Sequence, residues 1–204
     1  IAVQSPDLRQ RINDLVAGQA WVAQAPTILI FCGNNRRQRL LHTWKDIPFA
    51  NDHLDAFFNA VGDAAIALGA FVTAAESIGL GCCPISAVRN EAAAVSEMLE
   101  LPAHVFPFAG LAVGYPKEQA EISKRLPLRC TLHEDRYQEE GIQEAIQDYD
   151  KDRSATQPYA AQRLVGDFGE SSDYAWSDDK TRQYSQPERD QFGEFVRAKG
   201  FRLD

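Results

Sequence analysis

Residues Glu76–Asn90 read "ESIGLGCCPISAVRN". Two glycines, adjacent cysteines, a proline and an arginine follow a long apolar run. That composition suits a phosphate loop, a metal site, a redox pair or a crowded turn. The phosphate loop fails first: a dinucleotide fingerprint needs a third glycine where Pro84 stands, and a strand where this chain has a helix pattern. Zinc fails next. Cys82 and Cys83 are neighbours whose side chains point apart, and His42, His53, His104 and His133 have no ligand spacing around them. A helix C-terminus beside Cys82 would raise its thiol pKa, so the cysteines read as buried and inert rather than nucleophilic. A turn of this kind can still bring backbone close to a flat ligand. Gly79, Gly81, Ser86 and Ala87 are small enough to allow the approach, and Pro84 and Ile85 add apolar surface. Arg89, Lys124 and Arg125 supply cations suited to a phosphate.

Upstream of this stretch, residues 51–77 carry the strongest helix pattern in the chain. Leu54, Phe57, Phe58, Val61, Ala65, Leu68, Val72 and Ala75 follow helical spacing. Ala64, Ile66 and Phe71 occupy its other faces, so the helix is apolar nearly all round and must be covered by its own domain or by a partner subunit. "PTILIFCG" (Pro26–Gly33) reads as a buried strand, and "NNRRQR" (Asn34–Arg39) after it as a solvated basic loop. The chain opens in what reads as the middle of a strand, without an initiator Met, which suggests that upstream sequence has been lost. A helix follows, with Ser5 as cap, Pro6 at its first position and Gly18 as its end.

Downstream, "NEAAAVSEMLELP" predicts a helix capped by Asn90 and stopped before Pro102. "HVFPFAGLAVGYP" and "LRCTLHEDRY" read as strands separated by a polar loop. A helix after Glu139, a long polar stretch and a last helix ending at Gly200 complete the chain. Residues 1–133 read as a core, and 134–204 as an extension too poor in apolar residues for a core of its own, wrapping the body or another chain within the same domain.

The 204 residues suit one domain, and 45% hydrophobic with 25% charged residues suits a soluble, cytoplasmic protein. No apolar run reaches spanning length without a charge, and no signal-like segment opens the chain, so no membrane association is expected. The net charge is −8, and from Glu134 onward 17 acids face 10 bases. A nucleic-acid binder would show a basic face instead. Four cysteines without CxxC spacing point to a reduced compartment.

"AAESIGLGCCPISAVRNEAAAVSEMLELPAHVFPFAGLAVGYP", followed by "KRLP" and "LHEDRY", resembles the FMN-dependent nitroreductase family, in the branch of nitroreductase A and the NAD(P)H–flavin oxidoreductases. The likeness extends through "AGQAWVAQAP", "AWSDDKTRQY" and "FVRAKGF". It implies an α+β fold with a mixed, largely antiparallel sheet flanked by helices, forming an intertwined homodimer with FMN at the interface. Gln19 and Trp21 would lie near the flavin ring, and Pro84, Ile85, Ser86 and Ala87 would line it. Ser123, Lys124 and Arg125 would meet the ribityl phosphate, and the helix over residues 54–77 would be the central dimer helix.

The implied activity is an alternating one: NADH or NADPH reduces FMN, which then reduces a small-molecule acceptor such as a nitroaromatic, a quinone or free flavin. No side chain is assigned as an obligatory acid or base, and no metal is implied. Reductive dehalogenation, flavin modification and non-enzymatic FMN binding are the alternatives on the same fold. Three departures stand out: Ser86-Ala87 where the family has two glycines, Ser123-Lys124-Arg125 where it often has Lys-Pro-Arg, and an absent N-terminal segment that carries phosphate contacts. In "VGDFGESSDYAWSD", Asp167, Glu170 and Asp173 stand where NADPH-preferring relatives carry arginines. Arg163 is the only base near them on the N-terminal side, with Arg189 assigned to the last helix, so NADH is expected to serve at least as well as NADPH.

Overall fold

The computed structural model describes residues 1–16, 20–118 and 121–204. The chain divides into two compact units: Ile1–Glu118 with Arg189–Asp204, and Gln119–Glu188.

In the first unit, strands β1 (Ala2–Val3), β2 (Thr27–Asn34), β3 (Gly81–Ile85) and β4 (Val105–Gly114) form one sheet in the order β1-β2-β4-β3. Every pairing in it is antiparallel, with Ala2 opposite Leu29, Thr27 opposite Val113, and Gly81 opposite Gly114. A bulge between Phe31 and Cys32 shifts the register on β2. The expected strands at the N-terminus and at residues 26–33 and 104–116 are therefore present.

Helix α1 (Pro6–Leu15) starts where Ser5 accepts a hydrogen bond from the Leu8 amide at 3.3 Å, with Pro6 in the first turn. Gly18, expected to end it, lies outside the described residues. Helix α2 (Ala20–Gln24) follows. Val3, Ile12, Val16, Val22, Ile28, Ile30, Ile85, Val88 and Ala112 form one buried cluster between these helices and the sheet.

The basic run 34–39 is not a loop. Helix α3 (Arg36–Lys45) begins inside it, because the Asn34 side chain accepts from the Arg37 amide at 3.2 Å and so satisfies an orphan donor of the first turn. Arg39 is pinned rather than solvated: its guanidinium donates to Asn35 at 2.8 Å and pairs with Asp52 at 2.5 Å.

Helix α4 (Leu54–Ser77) is 24 residues long. It buries a stripe of alanines, Ala56, Ala60, Ala64 and Ala75, while Phe58 and Ile66 remain 69% and 73% exposed. Phe57, Ala60, Phe106 of β4, Val196 and Phe201 make a second core cluster. Gly33 belongs to it by close approach, because a Cβ there would stand 2.2 Å from the Phe106 ring.

Helix α5 (Ala92–Met98) starts one residue later than expected, with Glu91 rather than Asn90 in the cap position. The Asn90 side chain is instead turned to Arg189, accepting from its Nε at 2.8 Å.

The second unit holds α6 (Ile142–Thr156), α7 (Val165–Phe168) and α8 (Trp176–Tyr184); α9 (Phe192–Ala198) belongs to the first unit. The predicted strand "LRCTLHEDRY" is absent: residues 128–130 form a short 3₁₀ turn. The Leu128 carbonyl takes hydrogen bonds from the Thr131 and Leu132 amides at 2.9 and 2.7 Å, so the backbone closes on itself. Apolar content is low here, yet the unit clusters around a polar centre. Asp179, 2% exposed, accepts from Arg163 Nε at 2.9 Å and from the Tyr174 hydroxyl at 3.1 Å. The Lys180 ammonium lies 3.0 Å from its other oxygen as an ion pair without hydrogen-bond geometry.

Candidate functional site

The structure resolves the stretch Glu76–Asn90 into three successive parts. Gly79, at φ +83°, ends α4: its amide bonds to the Glu76 carbonyl at 3.0 Å and the Leu80 amide to that of Ala75 at 3.1 Å. Neither glycine serves a phosphate loop. Next comes β3, and then a 3₁₀ turn over Ser86–Arg89. The stretch expected as a loop thus contains an edge strand at its centre. Pro84 has no amide hydrogen to give a ladder, and an edge is where a sheet tolerates it.

On this edge Pro84 and Ser86 are exposed, Ala87 is half-buried, and Ile85 is buried beneath them against Gly110 and Val88. Small and ring-shaped side chains on top of an apolar floor leave a shallow, flat surface. The cysteines are less buried than expected: Cys83 is exposed and Cys82 half-buried. Both thiols are nonetheless pushed above their ordinary range, Cys82 by burial and then the Glu76 charge, Cys83 by burial.

Arg89 closes the turn. Its guanidinium donates to the Phe108 carbonyl at 2.5 Å and lies over the Phe108 ring at 5.7 Å. Burial, followed by the nearby Arg189 charge, holds its pKa below the ordinary value. Both arginines line a cavity of about 400 Å³ between the start of α5 and α9. Arg189 stands ahead of α9, in a left-handed conformation at φ +59°, and not within the last helix. Trp21, on α2, is 45% exposed while its neighbour Val22 is fully buried. Gln19 lies outside the described residues.

Ser123, Lys124 and Arg125 belong to the second unit. Ser123 and Arg125 are exposed, and Arg125 has no hydrogen bond or ion pair among the described residues. Lys124 is engaged: its ammonium pairs with Asp152 of α6, and its carbonyl accepts from the Tyr149 hydroxyl at 3.1 Å. The structure therefore groups Pro84, Ile85, Ser86, Ala87 and Arg89 on one unit and Ser123, Lys124 and Arg125 on the other. Phe108, Tyr149 and Asp152 were not singled out by sequence. Only the Tyr149/Asp152 spacing, three apart on one predicted helix, offered a signal for them. Among the described residues, no three His, Cys, Asp or Glu side chains converge as metal ligands.

Residues 1–115 match the nitroreductase family and residues 123–204 match the nitroreductase family C-terminal domain. An FMN reductase [NAD(P)H] of Bacillus subtilis is 34% identical over all of this chain, which spans 80% of that protein. The solved structure of Bacillus megaterium NfrA2 superposes with a TM-score of 0.88 at 31% identity, over 100% of this chain and 80% of that one. An NADPH:FMN oxidoreductase of Vibrio harveyi, solved in complex with NAD+, superposes with a TM-score of 0.82 at 27% identity, over 98% of this chain and 78% of that one. With both of its halves matched and its whole length superposed, the chain belongs to the nitroreductase family.

Proposed function

We propose that the protein is an FMN-dependent NAD(P)H oxidoreductase that reduces nitroaromatics, quinones or free flavin. The observation that carries this reading is the β3 edge and the turn after it: exposed Pro84 and Ser86 with half-buried Ala87 over a buried Ile85, in a chain whose relatives are named as FMN reductases. Bound flavin carries hydride from the nicotinamide to the acceptor. The chain supplies position and charge. Pro84, Ile85, Ser86 and Ala87 offer a flat floor for a ring, and outward backbone groups of an edge strand are free to meet ring heteroatoms. Trp21 and Gln19 are proposed beside the ring.

The residues present also fit a phosphate. Arg125 is exposed and unpaired among the described residues, Lys124 stands next to it, and the Ser123 hydroxyl can donate to a phosphate oxygen. Arg89 is proposed as a supporting cation, with one of its N–H groups already given to Phe108. Arg125→Ala should weaken FMN binding by about 1.5–3 kcal/mol, the usual cost of losing a charge-assisted contact. Arg36→Ala, on α3, should change it by less than about 0.5 kcal/mol. Fluorescence titration of the two variants tests this, and equal dissociation constants would contradict it.

The donor preference follows from which charges are free in residues 163–182. The Arg163 guanidinium is given to Asp179, and Arg182 donates to the Arg163 and Gly169 carbonyls at 2.9 Å each. Asp167, Glu170 and Asp173 are exposed. A 2′-phosphate brought here meets carboxylates rather than arginines, so NADH is used at least as well as NADPH. A tenfold higher kcat/KM for NADPH, equivalent to about 1.4 kcal/mol, would overturn the assignment.

The functional protein is proposed to be a cytoplasmic homodimer. By length and composition alone α4 is long and apolar enough to cross a membrane. Its rings argue for packing within protein: Phe71 meets Phe31 of β2 edge-on at 6.0 Å, and Phe57 lies 5.0 Å from Phe106. Phe58 and Ile66 leave large apolar side chains uncovered on one face of α4, and a second α4 is proposed to cover them. Sedimentation at micromolar concentration is expected to show a dimer; a folded monomer would contradict this.

A further inference from the structure

We propose that Asp152 sets how tightly the protein holds flavin phosphate, by competing with it for Lys124. The inference rests on the phosphate site proposed above and concerns a residue outside it. Lys124 and Asp152 form an ion pair whose side chains are 33% and 63% exposed. Their meeting is built into the fold. Tyr149, one turn earlier on α6, is buried, packs edge-on against Trp176 at 5.4 Å, and donates its hydroxyl to the Lys124 carbonyl at 3.1 Å. The next residue, Asp150, accepts from the Ser177 amide at 3.1 Å and from its hydroxyl at 2.5 Å, tying α6 to the start of α8. The backbone at Lys124 is thus fastened to α6, and Asp152 is held where the Lys124 ammonium reaches it.

The charge balance decides the sign. A monoester phosphate carries about −1.5 to −2 at neutral pH. Lys124 and Arg125 together offer two positive charges, but Asp152 cancels one of them and would itself repel the phosphate. Exposed pairs of this kind are weak, so an arriving phosphate displaces Asp152 without forcing the fold to change. The carboxylate remains nearby and lowers the net attraction. FMN held this way is exchangeable, and its affinity falls as salt screens the remaining charge.

The test is the dissociation constant of the intact protein for FMN and for riboflavin, by flavin fluorescence. Wild type, Asp152→Asn, Lys124→Met and the double variant are compared. Removing one exposed, isosteric negative charge should tighten FMN about 2- to 5-fold. It should leave riboflavin unchanged, because riboflavin has no phosphate, and the gain should vanish when Lys124→Met is also present. If Lys124→Met weakens FMN while Asp152→Asn leaves it unchanged or weakens it, the phosphate site stands and the competition is wrong. If FMN and riboflavin bind alike in all four proteins, the phosphate does not sit at Lys124, and the competition falls with the site.

Discussion

Phe106→Ala is expected to destabilise the protein by about 3–5 kcal/mol, the range for emptying a fully buried aromatic site. Phe106 is 0% exposed and lies 5.0 Å from Phe57, 5.4 Å from Phe201 and 6.5 Å from Phe192, ring centre to ring centre. It joins the central strand β4 to α4, α9 and the C-terminal segment at once, so no single element can move in to fill the void. Gly33 supplies the control. A Cβ at that position would collide with the Phe106 ring, so Gly33→Ala alone should also destabilise by overpacking. In the Phe106→Ala background the added methyl has room, and the double variant should cost less than the two single costs summed. Urea unfolding of the three variants measures this, and strict additivity would show that the two residues do not share the space.

Asp179→Asn carries the next largest effect, about 2–4 kcal/mol, because the amide oxygen can still accept from Arg163 and Tyr174 but the negative charge facing Arg163 and Lys180 is lost, and an amide NH2 replaces the oxygen beside the Lys180 ammonium. The cost stays below that of a fully buried pair, since Arg163 is 48% exposed and can regain water. The same network predicts acid sensitivity. Burial works to raise the Asp179 pKa, but the contacts from Lys180, Tyr174 and Arg163 outweigh it and hold the group below its ordinary value of 3.8. A depressed folded-state pKa contributes stability above the unfolded-state value, and that stability is lost as pH falls through the folded one. Wild type should therefore lose stability steadily below about pH 4, and the part owed to Asp179 should be missing in Asp179→Asn. Melting temperatures of both proteins across pH 2–7 test this, and parallel curves would rule out the linkage.

The elements legible in the sequence were those whose apolar residues repeat strongly between clear stops. Helix α4 shows the helical period over 24 residues and ends at Gly79, where a left-handed residue is needed. Strands β2 and β4 are short apolar runs bounded by proline, glycine or asparagine. Helix α3 was hidden because it is mostly polar and depends on side-chain contacts from Asn34, Asn35 and Asp52 rather than on a buried stripe. The alternation in residues 128–137 imitated a strand, but local carbonyls satisfy its amides first. The polar centre of the second unit joins Arg163, Tyr174, Asp179 and Arg182, which share no period at all.

The flavin-site residues were named through family likeness. Their supports, Phe108 behind Arg89 and Asp152 beside Lys124, lie far along the chain and emerge only once the backbone is folded.

The central claim, that this chain binds FMN and passes electrons from a nicotinamide through it, is tested most directly by anaerobic mixing. The intact protein is loaded with FMN, freed of excess flavin, and mixed with NADH or NADPH while the visible flavin band is followed. The account predicts that the band is present, bleaches on mixing, and returns when a quinone is added. A protein that stays colourless after incubation with excess FMN, or whose bound flavin keeps its colour with both donors, would contradict it.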